Sequence, residues 1–236
     1  CAISEGRLRT DRDERVMGLY PNLFSPIEVG GLELANRVVL APVDVGLHGP
    51  EGEVTDRYID FIVERARGDT GLLITEFTSV TPEQRVITTS VWDDRFIPGL
   101  ARMADAIHAA GAPVFMQIAA LGGKSYVEPF APSAIESPLY EQVPREMTLD
   151  EIRAMVERFV LGARRAQKAG FDGVEYHCAH SYLGGQFISP HTNRRDDEYG
   201  GDFERRMRFG AEVLAGIRQE CGEGFPVGFK FSAHEH

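Results

Sequence analysis

Five short runs of strand-forming residues, at 38–42, 71–77, 113–118, 173–177 and 226–232, are mostly apolar on both faces. A strand with two apolar faces must be covered on both sides, which is the situation of a parallel sheet wrapped in helices. Helical periodicity fills the intervals. Its clearest start is Thr148, where Thr-Leu-Asp-Glu spells a capping box with Glu151 at the third helical position. Apolar residues then recur at Ile152, Met155, Val156, Phe159, Val160, Ala163 and Ala166, and Gly170 supplies the stop. Shorter apolar faces are Tyr58, Phe61 and Ile62; Leu100, Met103, Ala104 and Ile107; and Phe203, Met207, Ala211, Leu214 and Ile217.

Strict alternation of strand and helix means a parallel sheet with crossover helices, either doubly wound or closed as a (β/α)₈ barrel. Residues 43–49 after the first strand do not form the GxGxxG turn of a dinucleotide fold, and no GxxxxGK[ST] phosphate loop occurs. The barrel is therefore the preferred α/β architecture. The strands begin at 38, 71, 113, 173 and 226, a mean pitch of (226 − 38)/4 = 47 residues. Eight units at that pitch need roughly 376 residues, so the expectation is a TIM barrel truncated after about five βα units. Residues 1–16 are polar and without pattern and the first methionine is Met17, so 1–19 reads as an N-terminal tail, disordered or upstream of the natural start; 20–236 reads as the incomplete barrel domain.

Composition excludes several partners. Twenty-five Lys and Arg against 36 Asp and Glu leave a net charge of −11, which argues against a general nucleic-acid or anionic-membrane binder. No apolar run approaches the roughly 20 residues needed to span a bilayer, and residues 7–15 form a charged stretch rather than a secretory signal. Cys1, Cys178 and Cys221 are too few and too scattered for a disulfide framework or a CxxC metal site. A cytoplasmic protein is the expectation.

In a barrel the chemistry gathers at the C-terminal ends of the strands. Those ends read Pro42-Val43-Asp44, Glu76-Phe77, Gln117, Glu175 through Tyr182, and Lys230 through Ser232. The fourth is the richest, with His177, His180 and Tyr182 inside six residues. Imidazoles hydrogen-bond a developing oxyanion and a positioned phenol donates a proton. The same residues also allow two other readings: hydrogen-bonded structural groups, or metal ligands of a barrel hydrolase using His177 and His180, with His191 a further candidate. The arginines 194, 195, 205, 206 and 208 stand among eight acids and read as a solvated, salt-bridged surface.

Residues 175–209 resemble the signature of the Old Yellow Enzyme group of flavin oxidoreductases. The elements are His177, His180, Tyr182 and Leu183; Gln186-Phe187; Ser189-Pro190; the run Asn193, Arg195, Asp197, Tyr199, Gly200 and Gly201; and Glu204, Arg206, Arg208 and Phe209. Further matches are Leu23-Phe24-Ser25-Pro26-Ile27, Asn36-Arg37-Val38, Ala41-Pro42, Arg65-Ala66-Arg67-Gly68 and Gln117, so the resemblance extends over 20–236. It implies an FMN-containing barrel whose Leu-Phe-Ser-Pro segment forms a hairpin closing the bottom. It also implies that NAD(P)H reduces FMN and that the flavin reduces the activated C=C bond of a small α,β-unsaturated carbonyl substrate. His177 and His180 would polarise the carbonyl and Tyr182 would protonate the α-carbon. Gln117 would bind the pyrimidine edge, Lys230 would offset flavin charge, and Ala41, Pro42, Val43 and Asp44 would pack beside the ring. Asp44 departs from the Thr, Cys or His of relatives. Gly123, followed by Lys124, replaces an Arg.

His180 and the closing Lys230-Phe231-Ser232-Ala233-His234-Glu235 are similar to the long-chain branch, that of 2-enoate and 2,4-dienoyl-CoA reductases. In that branch a 4Fe-4S cluster and FAD would be expected only in a C-terminal portion beyond residue 236. An open barrel leaves its first and fifth strands with unpaired edges, so weak FMN retention by these residues alone, and self-association into a homo-oligomer, are further expectations. An inactive fragment is the remaining alternative.

Overall fold

The computed structural model describes residues 18–84, 88–136 and 142–234. Apart from residues 18 and 19, the tail expected at 1–19 lies outside them, as does Glu235. Nine strands are described: β1 (Ile27–Val29), β2 (Leu32–Leu34), β3 (Val39–Leu40), β4 (Leu72–Ser79), β5 (Val114–Ala119), β6 (Phe130–Ala131), β7 (Arg145–Glu146), β8 (Gly173–Cys178) and β9 (Val227–Phe231). The helices are α1 (Asp56–Ala66), α2 (Ile97–Ala109), α3 (Leu149–Lys168), α4 (Leu183–Ile188) and α5 (Phe203–Cys221). The five strands expected from apolar runs are β3, β4, β5, β8 and β9, and they form one parallel sheet in that order.

Local chemistry sets the helix positions. Thr148 accepts from the Glu151 amide while Glu151 reaches back to the Thr148 amide, the reciprocal cap anticipated at α3. Ile152, Met155, Phe159, Ala163 and Ala166 are buried along α3 as the periodicity required. Helix α5 is rotated from expectation. Phe209, Gly210, Val213 and Ile217 face inward, whereas Phe203 is 62% exposed. Phe203 directly follows the capping Asp202, at the N-terminal end of α5. The i, i+4, i+8 row from Phe209 provides a continuous ridge.

Alternation along β5 separates the two sides of the sheet. Val114, Met116 and Ile118 join the cluster shared with the helices. Phe115 instead meets Leu34, Leu72 and Ile74. Ile27 and Leu32 pack on that inner cluster, so the β1–β2 hairpin plugs the N-terminal end of the sheet. The hairpin occupies 27–34 rather than the Leu-Phe-Ser-Pro residues themselves, because Gly30 and Gly31 adopt the positive φ that the turn requires. Both edge strands are part-exposed; Val39 of β3 is 44% exposed because it has a neighbour on one side only.

Candidate active site

Register assigns the polar residues to the inner face. Gln117 is opposite Glu175, and His177, two residues on, is opposite Lys230. In a parallel sheet paired residues share a face and every second residue returns to it. Gln117, Glu175, His177 and Lys230 therefore stack above the Phe115 layer, toward the C-terminal rim. A bulge between Ile74 and Phe77 brings Phe77 opposite Gln117 on that face. Phe77 packs with Ala119, Leu121 and Tyr182.

The chain leaves β8 in a tight turn that folds the remaining residues back over the rim. His180 and Ser181 both have left-handed backbone, at φ 56° and 54°, which costs each about 1 kcal/mol or more. Neighbouring elements hold the turn. Lys124 Nζ donates to the His180 carbonyl at 2.6 Å, and Gln186 Nε2 donates to the Ser181 carbonyl at 2.8 Å. The Tyr182 amide donates to Ala179 O and the Leu183 amide to Ala120 O. Gln186 Oε1 also accepts from the Gly123 amide, tying the loop after β5 to the turn after β8.

The result is a compact aromatic cluster. Ring centroids of His177 lie 5.0 Å from His180 and 4.9 Å from Tyr182, and His180 and Tyr182 are 6.3 Å apart. Phe77 stands 5.5 Å from Tyr182, and Lys124 Nζ lies 5.4 Å from the Tyr182 ring centre. The Ala179 amide donates to His177 Nδ1 at 3.1 Å, and His177 Nε2 is 3.2 Å from His180 Nδ1. Both His177 nitrogens thus have partners, a backbone amide and the His180 ring. Among the described residues no group of three or more His, Cys, Asp or Glu is arranged to hold a metal.

Burial above all, and then the charges of His180, Lys230 and Lys124, push the His177 pKa from 6.5 down to about 3. The His180 pKa is lowered too, by burial and by the same two lysines. Both imidazoles are thus neutral near pH 7. On unfolding, His177 regains its ordinary pKa, so between about pH 3 and 6.5 the unfolded chain binds the extra proton. The stability His177 confers is complete above pH 6.5 and is lost as pH falls toward 3. His177→Gln is expected to flatten this acid limb in urea denaturation measured across pH; parallel curves for the variant and the native protein would contradict the assignment.

Other expected positions are placed as follows. Ala41, Pro42, Val43 and Asp44 follow edge strand β3, separated from β8 by β4 and β5. The Asp44 carboxylate accepts from the Gly46 amide at 3.0 Å. Buried Glu76 anchors this loop by accepting from the Val45 amide at 3.2 Å, and it also accepts from Thr89 Oγ1 at 2.7 Å. Burial pushes the Glu76 carboxyl upward. Glu175 was visible in the sequence as a strand-end acid, but its partnership with Gln117 was not. Gln117 Nε2 donates to Glu175 Oε1 at 2.6 Å, a contact readable only from the β5–β8 register. A Cβ at Gly228 would stand 3.6 Å from Glu175 Cγ, an ordinary van der Waals contact.

The arginine group is not the uniform surface expected. The Arg195 side chain is only 6% exposed, and it clamps Asp197, Pro132 O and Met147 O. Arg206 donates to Ile188 O and Gly201 O. Arg205 and Arg208 match the expectation, at 43% and 45% exposure.

A five-stranded parallel sheet with a polar cluster at its C-terminal rim defines the class by fold, that of part of a (β/α)₈ barrel. The sequence profile of the NADH:flavin oxidoreductase / NADH oxidase family matches residues 22–236, and the chain belongs to that family. It is 43% identical over 225 residues to an NADH oxidase of Thermoanaerobacter brockii, covering 92% of this chain and 35% of that protein. It is 39% identical over 230 residues to a cinnamate reductase of Clostridium sporogenes, covering 90% of this chain and 34% of that protein. The structure of a 2-naphthoyl-CoA reductase in complex with 2-naphthoyl-CoA superposes with a TM-score of 0.86 at 32% identity, over 89% of this chain and 35% of that one. The chain thus spans about a third of the length of these three. No described helix is long and apolar enough to cross a membrane.

Proposed function

We propose that this chain forms the substrate-facing part of an FMN-dependent ene-reductase, reducing the activated C=C bond of an α,β-unsaturated carbonyl or enoate with NAD(P)H. The observation that carries the reading is the convergence of His177, His180 and Tyr182 on the rim shared by Gln117 and Lys230. The relatives named for cinnamate and 2-naphthoyl-CoA reduction act on conjugated carbonyl compounds, which supports it. A cytoplasmic location is part of the proposal, since the nicotinamide reductant is drawn from the soluble pool.

The donor set suits FMN. Gln117 offers a carboxamide to the hydrogen-bonding edge of a flavin, and Lys230 a cation to its anionic reduced form. Ala41, Pro42, Val43 and Asp44 would supply backbone and side-chain contacts along the ring. When bound, FMN provides hydride transfer to the alkene β-carbon. The protein's own task is to make that carbon electrophilic and to complete the addition. A neutral imidazole N–H at the carbonyl oxygen stabilises the negative charge that develops there. The Tyr182 hydroxyl donates its proton to the α-carbon. Phe77 and Tyr182 exclude water from one side of the cluster.

The intact protein is expected to purify yellow and to oxidise NAD(P)H in the presence of cinnamate or a simple enone. A colourless product that neither binds added FMN nor reduces an alkene would overturn the reading.

A further inference from the structure

Gln117 and Glu175 stand opposite one another on β5 and β8, and the contact between them has one polarity. A carboxylate oxygen only accepts, so the carboxamide atom 2.6 Å from Glu175 Oε1 is the nitrogen. Turned over, Gln117 would set its own carbonyl oxygen against a carboxylate, two acceptors in contact. The separation is short, as in hydrogen bonds with an ionised partner. Gln117 is 2% exposed, which leaves its side chain little room to swing away. Glu175 is half-buried and forms no ion pair among the described residues. On its other side β9 offers Gly228, which has no side chain to compete for the carboxylate. Gln117 Oε1 accepts no hydrogen bond among the described residues. Nor is that oxygen one of the polar atoms sealed from solvent without a partner, so it is open to a ligand on the inner face.

We propose that Glu175 is a positioning residue: it holds the Gln117 carboxamide with its nitrogen toward β8 and leaves the oxygen free, so that Gln117 reads a ligand edge by an N–H that the ligand donates. The ligand side of this rests on the FMN-dependent reading; the amide orientation does not. The pyrimidine edge of an oxidised flavin has a single donor, N3–H, between two carbonyl groups. Gln117 fixed in this orientation pairs with that N–H. A carboxamide free to turn over would also present its own N–H there, donor against donor. Fixing it beforehand removes the ordering cost from the binding step.

Two measurements on the intact protein test this. In NMR of ¹⁵N-glutamine-labelled protein as purified, with the Gln117 amide assigned through Gln117→Leu, one Nε2 proton is expected downfield of the ordinary carboxamide range. Glu175→Gln is expected to move it back toward that range. A Gln117 amide that resonates as a solvated one, or that Glu175→Gln leaves unmoved, overturns the proposal whether or not a flavin binds. The second measurement is titration of the apoprotein with FMN and with 3-methyl-FMN, which lacks the N3–H. Glu175→Gln is expected to weaken FMN binding about 10-fold and 3-methyl-FMN binding less than about 2-fold, so the preference for FMN shrinks. With Gln117 already replaced by Leu, the same substitution is expected to change neither affinity by more than about 2-fold. Equal weakening for both flavins, or an effect that persists without Gln117, would mean that Glu175 acts as general support or on the flavin itself, and overturns the proposal. If the native apoprotein binds neither flavin, the FMN-dependent reading falls and the ligand side of the proposal with it, while the NMR result still decides the amide orientation.

Discussion

Tyr182→Phe is expected to slow alkene reduction by about 10²- to 10⁴-fold, the usual contribution of a positioned general acid, and to leave reduction of bound flavin by NAD(P)H unchanged. The substitution removes one oxygen and keeps the ring. Its contacts to His177 at 4.9 Å and Phe77 at 5.5 Å therefore persist, and the cluster remains packed. Hydride transfer without a proton for the α-carbon leaves the product as an enolate, whose reversal or slow protonation by water limits turnover. Rapid-mixing experiments that separate the two half-reactions check this directly. An oxidative half-reaction within about 3-fold of the native rate would remove Tyr182 from the proposed chemistry and point to solvent as the donor.

The second large effect is structural. Arg195→Ala is expected to cost about 3 kcal/mol or more, in the range found when one partner of a buried ion pair is deleted. Its guanidinium donates to Asp197 at 2.6 Å, to Pro132 O at 2.8 Å and to Met147 O at 2.7 Å. It thereby fastens the β6–β7 region to the segment after α4. The same contacts hold the Asp197 carboxyl below the usual carboxylate range. Removal strands a part-buried carboxylate and two carbonyls together. Arg195→Lys is expected to recover little, since one ammonium cannot reproduce the planar fork. Urea denaturation of the three proteins decides the matter; a loss under about 1 kcal/mol for Arg195→Ala would mean that water replaces the guanidinium without penalty.

Arg195 also shows where sequence reading stopped short. Among interspersed acids its one-dimensional pattern is that of a solvated surface, and its neighbours Arg205 and Arg208 are solvated. Burial depends on which loops close over a side chain, and residues 132 and 147 reach Arg195 from far along the chain. The α5 face failed for a similar reason. Several apolar rows compete around one helix, and the partner surface of α3 selects the row through Phe209, Val213 and Ile217. Strands and caps were legible because their signals are local: two apolar faces, a Thr followed by Glu three residues on, glycines at turns.

At the site, the residue types at the strand ends were visible in order, and their resemblance to a known signature supplied roles for them. The geometry was not visible. That Gln117 pairs with Glu175, that His177 stands beside Lys230, and that Lys124 and Gln186 hold the turn at His180 all depend on strand register and loop closure.

By itself the sequence determined the alternation of elements, the parallel sheet and the chemistry available at each strand end, because those follow from side-chain period and backbone preference within a few residues. Only the tertiary structure decided which nitrogen of each histidine faces which partner. A hydrogen bond's direction is set by the group across from it, and here the Ala179 amide and the left-handed turn place those groups.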